Sequence, residues 1–334
     1  MIVIGIIGYG YWGPNVLRNF YNNKDVKVLA CCDTDNMRLR KVKELYPDLK
    51  IFNDYREITR NPKIDAVAIV TPVSTHYEIA DDAVSNGKHI FIEKPITSLS
   101  SEAETLIARS EKSKKIIMVD HTFLFTGAVK KMKNIIELDE LGEIYFFDSV
   151  RVNLGLFQHD INVVWDLAPH DISVKNYLIP KKAVSVSAVG SGHINEHIED
   201  IAYLTVNFDN SLIAHFHLNW LSPVKIRKTL ISGSKKMLVW DDLEADEKIK
   251  IYDKGVDIET REGSYNLLVK YRSGDMWSPQ VENIEALKLE TQYFVECIKN
   301  NIKPFNDGVA GLEVVKILEA SDKSIKNGGK KVCL

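Results

Sequence analysis

The sequence predicts an α/β N-terminal domain with a doubly wound parallel sheet, followed by an α+β C-terminal domain built on a large, open, mostly antiparallel sheet. Three observations predict it. Short apolar runs alternate with helical segments over the first 120 residues, a glycine-rich turn joins the first run to the first helix, and beyond residue 142 strands follow one another with few helices between them. Helical crossovers bury a parallel sheet on both faces, whereas strands in direct succession pair antiparallel. A chain of 334 residues is long enough for two domains. We divide it at 1–120 and 121–334, with the last helix free to pack back on the first domain.

Residues 2–7 form a continuous apolar, β-branched run, as a strand buried on both faces requires. Gly8-Tyr9-Gly10-Tyr11-Trp12-Gly13 follows, and then Val16, Leu17 and Phe20 recur at helical spacing. Placed between strand and helix, Gly8 permits a tight turn, Gly10 lets the backbone approach a pyrophosphate, and Gly13 lets helix and strand pack closely. The next strand, 26–32, ends at Asp33, twenty residues beyond Gly13. A carboxylate there accepts hydrogen bonds from adenosine ribose hydroxyls and repels a 2'-phosphate, so NAD is expected over NADP. Arg38 keeps NADP open. The plain alternative for Asp33 is an N-cap for the helix at 36–45.

The alternation continues with a strand at 51–52, a helix at 54–60, and a strand at 65–70 that ends in Thr71-Pro72. Thr75 is placed to cap a helix that Gly87 closes, and Ser101 with Glu104 to form a capping box for a helix running to 113. Strands at 89–92 and 116–119 complete six. Ligands of such sheets bind beyond the carboxyl ends of the strands, which singles out Thr71, Pro72, His76, Glu93, Lys94 and residues 120–122. A lysine at a buried strand end is poorly explained by solvation; the plain alternative is an ion pair with Glu93.

In the second half, strands are expected at 144–153, 183–189, 198–208, 211–221, 226–232 and 237–240, with a hairpin turn at 208–211. Residues 241–263 read as charged and irregular, forming hairpins or a surface excursion, and helices are expected at 281–299 and 308–325. Trp165-Asp166-Leu167-Ala168-Pro169-His170-Asp171 reads as a helix start, with Pro169 tolerated in the first turn. Asp166 and His170 stand four apart and share a helix face. That spacing suits a carboxylate orienting an imidazole base; the plain alternative is a capped helix with a satisfied histidine.

Composition narrows the class. Hydrophobic residues at 45% and charged residues at 27% fit a folded globular chain rather than disorder, and a net charge of −3 offers no field for nucleic acid. Cys31, Cys32, Cys297 and Cys333 show neither CxxC spacing nor a metal cluster, as in a reduced compartment. No apolar run approaches the roughly 18 residues that span a bilayer, and the first residues lack the charged start of an export signal. The expectation is a cytoplasmic protein acting on a small molecule, without nucleic acid or membrane as partner.

Gly8 to Gly13 after an N-terminal strand, Glu93-Lys94-Pro95 some eighty residues later, and Asp166 with His170 together resemble the Gfo/Idh/MocA oxidoreductase family. The likeness runs through nearly the whole chain and includes Thr71-Pro72 and His76. It implies that Lys94 lies beside the nicotinamide and contacts the substrate hydroxyl, and that Asp166 and His170 are the catalytic carboxylate–histidine pair. By the same resemblance Gly8, Gly10, Tyr11, Trp12 and Gly13 form the dinucleotide loop, Asp33 binds ribose, and Thr71, Pro72, His76 and Glu93 line the cofactor. A homodimer or homotetramer through the C-terminal sheet is also implied.

One departure is the segment Asp120-His121-Thr122-Phe123, which lacks an arginine often found there; His121 is a candidate replacement. Ser149 to Gly155 and Asn162 to Trp165 resemble a branch acting in bacterial nucleotide-sugar and polysaccharide pathways. Arg151, Asn153, Trp165 and Lys225 are accordingly substrate candidates. Lys225, Arg227 and Lys228 would suit a diphosphate, or else a solvated strand end.

Chemistry follows from these assignments. His170, with an ordinary imidazole pKa of about 6.5, takes the hydroxyl proton, Asp166 fixes its tautomer, and Lys94 favours the alkoxide. No metal is needed. His215 and His217 share one strand face and could hold a metal only with a further ligand; a pocket wall or sheet interface is the preferred reading. His159-Asp160 could touch substrate or lie in a solvated loop, and Trp220 and Trp240 read as packing residues. The leading expectation is NAD-dependent oxidation of a ring hydroxyl of a nucleotide sugar, a UDP-N-acetylhexosamine or its uronate at the 3-position. Alternatives are an inositol or free-sugar dehydrogenase, a keto-nucleotide-sugar reductase, and, in a different class, a non-catalytic NAD-binding sensor.

Overall fold

The computed structural model describes residues 1–155, 161–259 and 268–334. It divides into two compact units: Met1–Phe125 with Ile284–Lys316, and Thr126–Asn283 with Ile317–Leu334. Each unit therefore draws on two stretches of sequence, where the expectation was a cut at residue 120 with the last helix free to pack back on the first domain.

The first unit alternates β1 (Ile2–Ile7), α1 (Gly13–Tyr21), β2 (Val26–Cys32), α2 (Asn36–Leu45), β3 (Lys50–Phe52), α3 (Arg56–Thr59), β4 (Ala66–Ile69), α4 (His76–Ser85), β5 (His89–Glu93), α5 (Ser100–Ser113) and β6 (Ile117–Asp120). The six strands are parallel in the order β3-β2-β1-β4-β5-β6. The order reverses at β1, so the glycine turn sits at the switch point where doubly wound sheets bind ligands. The apolar runs that predicted the strands are buried: Ile4, Ile6, Ala66 to Ile69 and Ile90 to Ile92 have no exposed surface. Phe20 of α1, Phe91 of β5 and Phe294 make an edge-to-face triangle with centroids 5.4, 6.1 and 5.7 Å apart. Such pairs contribute about 0.5–1.5 kcal/mol each beyond area burial, and they seat the later helix on the sheet.

Three helix caps differ from expectation. Asp35, not Asp33, caps α2 by accepting from Met37 N, which leaves Asp33 to other donors. Helix α5 starts one residue earlier than Ser101, with the Leu99 N–H donating to Glu102, so Glu102 takes the role expected of Glu104. The Thr75 hydroxyl donates to Pro72 O and Thr71 Oγ1 instead of capping α4.

The second unit begins with α6 (Gly127–Glu137), β7 (Ile144–Leu154) and α7 (Val163–Leu178). β8 (Ala183–Ser191), β9 (Ile201–Phe208), β10 (Ile213–Asn219), β11 (Leu221–Gly233), β12 (Met237–Asp241), β13 (Ile249–Glu259) and β14 (Leu268–Trp277) follow. After α8 (Ala286–Asn300) of the first unit comes α9 (Gly308–Lys326), whose residues divide between the units at Lys316, and then β15 (Val332–Cys333). Among the described residues the sheet runs β14-β13-β12-β11-β7-β10-β9-β8-β15, antiparallel except where β10 meets β7. The charged stretch after residue 241, expected to hold hairpins or a surface excursion, contains β13, paired antiparallel with β12 and β14. Helix α7 lies on the face formed by β7, β9 and β10, toward which Ser149, Arg151, Leu204 and Phe216 are buried.

Candidate dinucleotide and catalytic sites

The glycine loop is shaped by close backbone approaches. Gly8 has φ +99°, and a Cβ there would stand 2.3 Å from Val70 O; one on Gly13 would stand 2.5 Å from Gly8 O. A Cβ on Gly10 would meet nothing nearer than Arg38 Nη1 at 3.7 Å, so its bare backbone face is open. The N-terminus of α1 has no side-chain cap, leaving its first N–H groups suited to an anion. Tyr11 is 86% exposed, while Tyr9 beside it is buried.

Asp33 is buried, with one oxygen accepting from Tyr9 N at 2.7 Å and the other from Asp35 N at 2.8 Å. It thus holds the loop and still carries its charge at the end of β2. Arg38 Nη1 lies 3.6 Å from it, so one cation stands ready should the carboxylate be removed. These features fit a dinucleotide whose diphosphate meets the loop and whose ribose meets Asp33. Asp33→Asn is expected to raise the preference for NADPH over NADH by about tenfold or more, because a like-charge clash with the 2'-phosphate disappears. Fluorescence titration with both nucleotides checks this; an unchanged ratio counts against Asp33 as the discriminator.

His76 serves the site indirectly. Its ring nitrogens sit 2.8 Å from Pro95 O and 2.8 Å from Thr71 O, tying the ends of β4 and β5 together. Burial lowers its pKa against those two carbonyls, which favour the charged ring. Glu93 accepts from the backbone N–H of Lys94, and Lys94 and Pro95 follow at the carboxyl end of β5. At the end of β6, Asp120 Oδ2 accepts from the indole Nε1 of Trp12 at 2.9 Å. His121 is buried, and neither ring nitrogen has a hydrogen-bond partner. Burial, with the Lys94 charge second, lowers its pKa to about 3. It is a neutral ring with unspent hydrogen-bonding capacity near Lys94.

In the second unit the catalytic candidates ride on α7. Asn162 caps it, its Oδ1 accepting from Val164 N and Trp165 N. The helix therefore starts earlier than expected, and Pro169 lies inside it rather than in the first turn. Its missing N–H leaves the Trp165 carbonyl without an i+4 donor; burial on nearly every face holds the helix together regardless. Asp166 and His170 remain one turn apart and are both half-buried.

Trp220 was read as packing, but its Nε1 donates to Asp166 Oδ2 at 3.0 Å. It is almost wholly buried, and a Cβ on Gly155 would stand 2.5 Å from its ring. The indole thereby fixes the carboxylate. A buried indole must find an acceptor, and that rule was the available signal.

Two substrate candidates are otherwise engaged. Arg151, 4% exposed, makes a two-pronged pair with Asp171: Nε and Nη2 each lie 2.8 Å from a carboxylate oxygen. Trp165 is buried, and its Nε1 donates to Asp322 Oδ2 at 2.8 Å; Asn162 also reaches Asp322. Both residues fasten α7 rather than present a polar group to solvent. Asn153 is half-buried near the end of β7 and Lys225 is exposed on β11. Arg227 and Lys228 face Asp242 at 3.4 Å and Asp241 at 3.1 Å, which offsets much of the basic group. His217 stacks on Tyr203 at 4.5 Å, and no group of His, Cys, Asp and Glu among the described residues could hold a metal. His159 and Asp160 lie outside the described residues. Among those residues no helix is long and apolar enough to cross a membrane.

A glycine turn at the switch point, an uncapped helix start and an acid at the end of β2 define a dinucleotide-binding domain of the Rossmann class. Residues 2–121 match the model of an oxidoreductase family with an NAD-binding Rossmann fold, residues 129–239 match the GFO/IDH/MocA C-terminal domain, and the chain belongs to that family. It is similar to the uncharacterized oxidoreductase YrbE of Bacillus subtilis, 28% identical over 64% of this chain and 65% of YrbE. The scyllo-inositol 2-dehydrogenase (NAD(+)) of the same organism is 25% identical over 97% of this chain and 94% of its own. The solved structure of UDP-N-acetylglucosamine 3-dehydrogenase GnnA from Acidithiobacillus ferrooxidans shares the fold with TM-score 0.82, at 23% identity over 98% of each chain.

Proposed function

We propose that the chain is an NAD-linked dehydrogenase that oxidises a secondary ring hydroxyl of a sugar, with a UDP-linked N-acetylhexosamine or its uronate, at the 3-position, as the favoured substrate. The observation that carries the reading is the pairing of Asp166 and His170 on one helix face with the carboxylate held by Trp220. A carboxylate fixed in this way orients an imidazole and stabilises the imidazolium that forms. His170 is the base that takes the hydroxyl proton. Lys94 stabilises the developing alkoxide by its charge. NAD, when bound, supplies the hydride acceptor; Gly8, Gly10, Gly13 and Asp33 hold it, and His121 is the candidate neutral partner for a substrate hydroxyl. Catalytic residues would be idle in a sensor, and the full set Lys94, Asp166 and His170 argues for turnover.

A second reading, oxidation of an inositol or free sugar, gains from one observation. Arg151, one of the cations expected to meet a diphosphate, is committed to Asp171. Lys225 then stands as the exposed cation of the basic group. Thermal unfolding with NAD present separates the readings, because a ligand that binds only the native state raises Tm. A shift with UDP-sugars supports the proposal; a shift with inositols alone overturns it. We further propose a homodimer or homotetramer through the sheet face opposite α7, where Tyr203 is 42% exposed.

A further inference from the structure

Around the end of β6 the first unit buries two carboxyl groups side by side. Asp120 is 2% exposed and Glu290, on α8, is 0% exposed. Asp120 accepts from Trp12 Nε1 at 2.9 Å and from the Thr122 hydroxyl at 2.5 Å. Oε1 of Glu290 accepts from Asn306 Nδ2 at 3.2 Å, and the same amide group donates to Val119 O. Oε2 of Glu290 has no hydrogen-bond partner, and the Asp120 carboxyl and the Thr122 hydroxyl are the neighbouring groups that act on this carboxyl. Two carboxylate oxygens facing each other in a dry interior repel; a proton between them turns the contact into a hydrogen bond and satisfies the orphan.

We propose that Asp120 and Glu290 share a single proton, and that this acid–carboxylate pair is the anchor that positions Trp12, and through it the dinucleotide loop, for nucleotide binding. The second half rests on the reading of that loop as the NAD cradle. Trp12 belongs to the loop that would take the diphosphate, and its indole is tied to Asp120 across 108 residues of sequence. Asp120 already accepts from the indole on one oxygen and from the Thr122 hydroxyl on the other, and both bonds are stronger to an ionised carboxylate, which places the proton on Glu290. The other charged or titratable groups acting on the pair are Lys94, which favours ionised Asp120, and Glu93, which opposes ionisation of Glu290. His121 is neutral. Burial first, and the Asp120 charge second, hold Glu290 well above the ordinary carboxylate range.

Three measurements on the full chain test this. Infrared spectroscopy near neutral pH should show the carbonyl stretch of a buried carboxylic acid in wild type, absent in Glu290→Gln. Thermal unfolding without nucleotide should show a pH-dependent difference between the two. A folded-state pKa raised above its unfolded value contributes stability below the unfolded pKa and loses it as pH rises, so Glu290→Gln should gain progressively on wild type as pH rises above about 4, the ordinary glutamate range. Trp12→Phe should weaken NAD binding about tenfold, as expected for a lost hydrogen bond to a charged group. Loss of no acid band in Glu290→Gln, a stability difference flat with pH, or wild-type NAD affinity in Trp12→Phe would each overturn the proposal. Failure of wild type to bind NAD would overturn the reading of the loop, and with it the anchoring half, while the infrared result judges the shared proton separately.

Discussion

His170→Ala is expected to lower kcat for sugar oxidation by about 10²–10⁴-fold, the usual contribution of a positioned general base, while NAD binding persists. Lys94→Ala should cost about 10²–10³-fold, as for removal of one preorganised charge facing a developing oxyanion. Both expectations follow from where the chain spends its interactions. The proposed NAD cradle draws on Gly8, Gly13 and Asp33, each held by backbone contacts within the first unit, and on the open backbone face of Gly10. None of those contacts involves α7. The proposed base rides on a helix with its own supports, namely the Asn162 cap and the Asp322 contact of Trp165. Asp166→Asn should fall between wild type and His170→Ala, because an amide still meets the Trp220 indole but no longer stabilises an imidazolium. Steady-state turnover with a responsive sugar, alongside NADH titration, checks all three. Full activity in both alanine variants would remove Lys94 and His170 from the mechanism; lost NAD binding in His170→Ala would point to a folding role instead.

Much of this site was legible in the sequence because its signals are local. A parallel strand buried on both faces must be apolar throughout, and β1, β2, β4 and β5 are. The glycine turn is dictated by positive φ at Gly8 and by the approach of Gly13 to the Gly8 carbonyl. Asp33 and the Asp166–His170 spacing depend on one strand end and one helix. What sequence reading missed is non-local. Arg151 and Asp171 are 20 residues apart and meet only because α7 packs on β7; a lone arginine on a strand looks equally like a ligand for a phosphate. Trp220 and Asp166 are 54 residues apart, and Trp12 is 108 from Asp120. Two misses did carry local signals. Asn162, directly before Val163, is a strong N-cap residue that moves the helix start upstream of Trp165. Glu290 lies between Leu287 and Phe294 on the apolar stripe of α8, where a carboxyl group must be neutral or paired.

Arg151→Ala is expected to destabilise the protein by about 3–5 kcal/mol, the range for removing one partner of a buried ion pair. The guanidinium and the Asp171 carboxylate are 4% and 3% exposed and meet through two parallel 2.8 Å hydrogen bonds. Truncation leaves a buried carboxylate without its counter-ion. At about 2–4 °C per kcal/mol for a domain of this size, Tm should fall by roughly 10 °C. The cost belongs to the unpaired charge rather than to the pair, so Arg151→Met with Asp171→Leu should recover most of it. Asp171 directly follows His170, and Arg151 sits on the sheet beneath; the pair therefore pins the turn of α7 that carries His170 to β7. This separates two roles for Arg151 that the sequence could not. A substrate-binding arginine, once replaced, raises KM and leaves Tm and kcat nearly unchanged. A pinning arginine lowers Tm first, and kcat falls because the base is no longer held. Calorimetry and kinetics on Arg151→Ala and the double variant decide between them: a KM effect with unaltered Tm would return Arg151 to the substrate, and a stability loss repaired in the apolar double variant assigns it to the support of His170.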